Sequence, residues 1–120
     1  MLPLLVIEVR EFLAADGSNP YRKWFNSLNA QAAAKVAIAT TRLAQGNFSK
    51  AKGVGSGVNE YVIDFGPGYR VYFGRDSDHL VILLCGGTKR RQQEDIRHAQ
   101  VLWIEYKRRK KKEENSNATH

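Results

Sequence analysis

The stretch Glu60-Tyr61-Val62-Ile63-Asp64-Phe65-Gly66-Pro67-Gly68-Tyr69-Arg70-Val71-Tyr72-Phe73-Gly74, followed by His79-Leu80-Val81-Ile82-Leu83-Leu84-Cys85-Gly86-Gly87, decides the fold. Tyr61, Ile63 and Phe65 alternate with Glu60, Val62 and Asp64, the period of a strand with one covered face. Gly66-Pro67-Gly68 is turn punctuation. Tyr69–Gly74 reads as a second strand and Arg75–Asp78 as a second turn. His79–Cys85 is almost wholly apolar, as a central strand covered on both faces should be. Gly86-Gly87 is expected to end it. Three sequential strands joined by short turns form an antiparallel meander. If Arg75–Asp78 closes the second hairpin, Gly74 faces His79 and Arg70 faces Leu83.

Working outward, Leu4–Phe12 alternates apolar and charged residues and reads as a first strand that completes the sheet. Asn19 is an N-cap with Pro20 at the first helical position. Tyr21, Trp24, Phe25 and Leu28 then mark the apolar face of a short helix. Asn29 caps a second helix whose inner stripe is Ala33, Val36, Ala37, Thr40, Leu43 and Ala44, with Gly46 as its stop. The two form a helical hairpin. Residues 47–57 read as loop. Thr88 is placed as the cap of a long final helix with Ile96, Ala99, Trp103 and Tyr106 on one face. The expectation is an α+β domain over residues 1–106, in the order β-α-α-β-β-β-α: a small antiparallel sheet with the helices packed on one face. Residues 107–120 form a basic tail, expected to be disordered.

Composition limits function. The chain has 120 residues, 42% hydrophobic and 26% charged, with a net charge of +7. That suffices for one core and excludes disorder throughout. The tail holds six Lys/Arg against two Glu and so supplies more than half of the excess. The one cysteine, Cys85, excludes an internal disulfide framework and a Cys-rich zinc site, and reads as a buried thiol. No stretch approaches the roughly 18–20 apolar residues of a membrane span. The opening Met1–Ile7 lacks the basic start and cleavage site of a signal peptide, so a cytoplasmic protein is expected. His79, His98 and His120 have no metal-ligand spacing, and Gly53, Gly55 and Gly57 match no nucleotide-binding loop. No metal and no cofactor are expected.

What remains is a set of cations. Lys89, Arg90 and Arg91 open the last helix, where the free N–H groups and positive dipole end already favour an anion. Like charge there costs local stability unless an anionic partner compensates. Arg70 should lie at the same end of the sheet, within reach of Lys50 and Lys52, with Tyr69 and Tyr72 nearby to stack on bases. This is a footprint for single-stranded nucleic acid or a phosphate-rich ligand. The alternative is structural: a rim Arg70 paired with Asp64 or Glu60, a solvated helix start, and tyrosines that only pack.

Three segments together resemble the RelE/ParE toxin superfamily, nearest to its HigB-like addiction-module killer proteins. They are Val58–Phe73, Leu80–Lys89, and Gln93-x-Asp95-Ile96-x-x-Ala99, supported by Trp24-Phe25-x-x-Leu28. The likeness spans residues 5–106. It implies the toxin of a type II toxin–antitoxin module with a RelE-like fold, inhibited by a cognate helix-turn-helix antitoxin with which it binds operator DNA. Many such proteins cleave mRNA on the ribosome without metal; ParE-like ones inhibit DNA gyrase instead. A third expectation is a non-catalytic corepressor acting with the antitoxin. The resemblance places the family's strand arginine on Arg70, its helix-opening basic residue on Lys89 or Arg90, and its loop lysine on Lys52, beside Lys50. The late Tyr or His of some ribonucleases is replaced by Ile96, with Asp95 as neighbour. In the implied reaction a ribose 2′-hydroxyl attacks the adjacent phosphate and expels the 5′-oxygen. Arg70 would stabilise the phosphorane. Lys52, Lys89 or Asp95 would serve as base, and Lys89 or Arg90 would steady the leaving oxygen. Arg91, Tyr69 and Tyr72, with Lys107, Arg108 and Arg109 of the tail, would bind RNA.

Overall fold

The computed structural model describes residues 6–118. Strand β1 (Glu8–Glu11) is followed by α1 (Pro20–Asn26), α2 (Ala30–Ala44), β2 (Ala51–Gly53), β3 (Val58–Ile63), β4 (Tyr69–Arg75), β5 (Leu80–Thr88) and α3 (Gln92–Ala118), with a 3₁₀ turn over Lys89–Arg91 leading into α3. The architecture is α+β, an open sheet of five strands in the order β1-β5-β4-β3-β2. The part of the first-strand reading before residue 6 lies outside the described residues, as does His120.

The caps of α1 and α2 form as the sequence requires, but Thr88, expected to cap the last helix, ends β5 and makes no side-chain cap bond to the 3₁₀ turn that follows. Asn19 and Asn29 accept from the backbone N–H groups of Arg22 and Ala32, each at 2.9 Å, and Pro20 opens α1. The meander is antiparallel as expected, but the sheet is mixed. β1 runs parallel to β5, with Glu8 opposite Leu80 and Glu11 opposite Leu83. Short turns fix the direction of β3, β4 and β5. The long helical connection after β1 fixes none, so β1 was free to join the outer edge of β5 in either sense. A further strand, β2, lies in the segment read as loop, pairing Lys52 with Glu60.

The helices cover both faces rather than one. Tyr61, Ile63, Val71, Phe73, Val81 and Leu83 pack with Tyr21, Val36 and Leu43 under α1 and α2. Val58, Tyr72, Ile82 and Leu84 pack with Ala99, Leu102 and Trp103 under α3. Strand β4 shows why one layer of helices would not do: its first six residues are all buried.

The β4–β5 register also differs from the expected one. Arg70 faces Gly87, not Leu83, and Leu84 is bulged out between the Tyr72–Cys85 and Phe73–Leu83 pairs. Gly86-Gly87 does not end β5. A Cβ on Gly86 would lie 2.2 Å from the Trp24 ring, and one on Gly87 would lie 1.9 Å from Oδ2 of Asp95. Glycine is required here so that α1 and α3 can close on the two faces of one strand.

The tail departs most. Helix α3 does not fray at Tyr106 but runs on to Ala118. Tyr106 donates to Asp76, Lys110 pairs with the same carboxylate, and Arg109 donates to the Leu13 carbonyl. These contacts hold the helix one turn past its apolar stripe, and Lys, Arg and Glu carry it further as good helix formers.

Candidate functional site

Register builds the site. Lys52, Glu60, Tyr72 and Cys85 are successive partners on β2, β3, β4 and β5. They form one transverse row, and Arg70 stands two residues along from Tyr72. Glu60 is the centre and is fully buried. Its carboxylate accepts from the Tyr72 hydroxyl at 3.0 Å and from the Gln92 amide at 3.0 and 3.2 Å. Lys52 Nζ stands 3.7 Å from Oε1, and Arg70 Nε stands 3.5 Å from Oε2.

Arg70 is 8% exposed. Its Nη1 donates to the Gly68 carbonyl at 2.9 Å, while the buried Nε has no aligned acceptor. Gly68 brings Lys89 in as well: the Lys89 N–H donates to the Gly68 carbonyl at 3.0 Å. A Cβ on Gly68 would touch both Arg70 Nη1 and Lys89 Cβ, at 3.3 and 3.6 Å. Arg70, Lys52, Lys89 and the start of α3 therefore share one end of the sheet. Lys52 is the open member, its side chain 63% exposed. It stands against the Glu60 carboxylate, which favours its charged form over the neutral amine that a base requires.

Lys89 and Arg90 are exposed. Arg91 is exposed and turned to Glu94 at 2.7 Å. The Asp95 carboxyl lies over Gly87. Partial burial pushes it above the usual carboxylate range, against the pull of Arg91 and His98. Burial, and then Asp95, pushes the Cys85 thiol up to about 12. Burial, and then Glu60, raises the Tyr72 phenol far above its ordinary value.

The other expected residues are sealed in or lie elsewhere. Tyr72 is 0% exposed and offers no face to a base. Tyr69 lies on the opposite face, stacked on Phe65. Lys50 lines a cleft of about 220 Å³ beside α2, with Arg42 and Asp64. Lys107, Arg108 and Arg109 lie at the far end of α3, and Gln92 to Lys107 spans about 22 Å along the helix. Glu60 entered the sequence reading only as a rim partner of Arg70, and Gln92 not at all. The signal for Glu60 was parity: it shares a strand face with Val58, which is buried under α3. No group of three His, Cys, Asp or Glu among the described residues is placed to share a metal ion. No helix there is long and apolar enough to cross a membrane.

These features define a class: a small α+β protein with a mixed sheet, helices on both faces, and a buried carboxylate gathering cations at one end. The chain is 40% identical over 99 residues to a protein of Haemophilus influenzae described as uncharacterized, covering 82% of this chain and 94% of that one. It belongs to the family of that protein. No family model matches the chain, and no solved structure matches it.

Proposed function

We propose that this chain is the toxin of a type II toxin–antitoxin module, with a RelE-like fold, acting in the cytoplasm as a metal-independent, ribosome-dependent mRNA endoribonuclease. One observation carries the reading: Arg70 and Lys52 meet at Glu60, and the Lys89 backbone binds Gly68 beside Arg70, where the chain turns into α3. A cation held in place as Arg70 is costs no reorganisation when a phosphorane forms beside it. Arg70 is the stabilising group, with Lys52 and Lys89 as the exposed cations that meet the RNA. Asp95 is the carboxyl whose raised affinity for protons suits it to accept one from the 2′-hydroxyl. The partners under this reading are mRNA, the ribosome, and a helix-turn-helix antitoxin that covers the basic end and binds operator DNA with the toxin.

A second reading is favoured by the closure of Arg70. With Glu60 at its Nε and Gly68 on its Nη1, this arginine is already engaged, and Tyr72 is sealed in. A protein of the same fold that binds DNA gyrase, or serves as corepressor with its antitoxin, needs no reactive arginine. Primer extension on a defined mRNA in a purified translation system separates the two. Discrete ribosome-dependent cuts are expected, with Arg70→Ala lowering the rate by about 10²–10³-fold. An intact message from a folded protein that still arrests growth overturns the nuclease reading and moves the test to gyrase supercoiling.

A further inference from the structure

The six basic residues Lys107–Lys112 do not all do the same thing. Two face the body. Arg109 donates to the Leu13 carbonyl and stands 3.9 Å from Glu105, and Lys110 pairs with Asp76. Together with the Tyr106–Asp76 bond they pin the helix. The other four, Lys107, Arg108, Lys111 and Lys112, are exposed. The spacings 107/111, 108/112 and 108/111 make them neighbours on one helical surface. Lys107 and Lys111 line a cleft of about 430 Å³ whose wall also holds Asp76 and Glu114, whereas the Arg75 guanidinium turns to the other face of the sheet, 4.2 Å from the Phe48 ring. Among the described residues, no ion pair engages these four cations, because the pairs on this part of α3 are made by Arg109 and Lys110; Lys107 lies 5.9 Å from the Trp103 ring.

We infer that this distal face of α3 is a second nucleic-acid contact that grips the phosphate backbone of structured RNA about 22 Å from the Arg70 end. The choice of RNA rests on the function proposed above; the existence of a polyanion site rests on the charge placement alone. The surface suits phosphates better than an acidic polypeptide. Phosphate contacts need only exposed, fixed cations. A protein interface needs an apolar centre depleted of charge, and beyond Ile104 the outward surface of α3 carries no large apolar side chain. The helix also removes a cost that a disordered tail would bear on binding, since its cations are already ordered. The distance keeps these residues away from any reacting phosphate, so they hold the RNA and take no part in its cleavage.

The test is the salt dependence of binding to a labelled RNA hairpin, measured from about 0.05 to 0.5 M salt. The proteins are the full chain, K107Q/R108Q/K111Q/K112Q, and Arg70→Ala. Glutamine keeps helix propensity, and circular dichroism checks that the helix is retained. Loss of four contacts should flatten the slope of log affinity against log salt by about 3, with an affinity loss on the order of 10²-fold at low salt. Arg70→Ala should keep the slope within about one unit. An unchanged slope in the folded quadruple variant overturns the site. So does poly-glutamate that competes as well as RNA at equal charge, since that marks an acidic polypeptide as the partner. Steep binding by a protein that cuts no message would sink the nuclease reading and leave this one standing. Cleavage with an unaltered slope would do the reverse.

Discussion

Two carboxylates tie α3 to the sheet, and each meets a phenol and a cation. At the start of the helix, Glu60 meets a phenol, Tyr72, two cations, Lys52 and Arg70, and the Gln92 amide. Further along, Asp76 meets a phenol, Tyr106, and a cation, Lys110. The settings differ. Glu60 projects from the middle of a sheet face, is fully buried, and has partners set by strand register. Asp76 sits on the β4–β5 turn, and its cation reaches it from a side chain 45% exposed. Opening the first cluster strands a buried charge; opening the second returns its groups to water. The proposed reactive end is therefore the stiff end of α3, and the basic arm hangs from the end that can release.

The hardest test of this contrast is to remove each acid. Glu60→Ala leaves Arg70 buried beside no counter-charge and should cost about 3–5 kcal/mol, read from denaturant midpoints. Asp76→Ala frees a largely exposed lysine and should cost at most about 1–2 kcal/mol. Equal losses would show that burial does not separate the two. Gly86→Ala comes next: it drives a methyl into Trp24 at the stiff end and should cost about 1–3 kcal/mol. A stable Gly86→Ala protein would mean that α1 can lift from β5 at little cost.

Acidity should open only one end. Burial opposes ionisation of Asp76, but hydrogen bonds from Lys110 and Tyr106 outweigh it and hold the carboxyl below its ordinary value. A depressed carboxyl contributes stability above the ordinary carboxylate range and loses it as pH falls below that range. The Tyr106 phenol is raised, by burial first and then by Asp76. Its contribution is present at neutral pH and lost as pH climbs past the ordinary tyrosine value. Amide exchange along residues 107–117 should therefore quicken at both extremes before the Glu60 end responds. Simultaneous exchange at both ends would make α3 one cooperative unit.

The same contrast separates what the sequence could tell from what it could not. Tyr61, Ile63 and the Asn19 and Asn29 caps were legible because period and capping are local. The direction of β1 was not, since a helical connection hides it. Gly86-Gly87 looked like a stop because glycine usually punctuates; only the approach of Trp24 and Asp95 from opposite faces explains it. At the site, Arg70, Lys52 and Lys89 were found by charge. Glu60 was legible as a partner of Arg70 but not as a buried centre, because a lone glutamate in an alternating strand reads as the wet face. The helix beyond Tyr106 was missed because its support is three polar contacts made by residues distant in sequence.

Cys85 offers the gentlest probe, because it reports without perturbing. It closes the transverse row that begins at Lys52, and its thiol, pushed up to about 12 by burial and then by Asp95, is protonated at neutral pH. Only the thiolate attacks a disulfide reagent, so labelling in the folded chain must wait for an opening. If the Glu60 end opens only with global unfolding, the labelling rate in mild denaturant should fall on the line set by the global stability. Asp76→Ala, which frees the distal end alone, should then leave the rate at the value its small loss of stability dictates. Faster labelling in that variant would mean that release of the arm travels the length of α3, and the two ends would have to be treated as coupled.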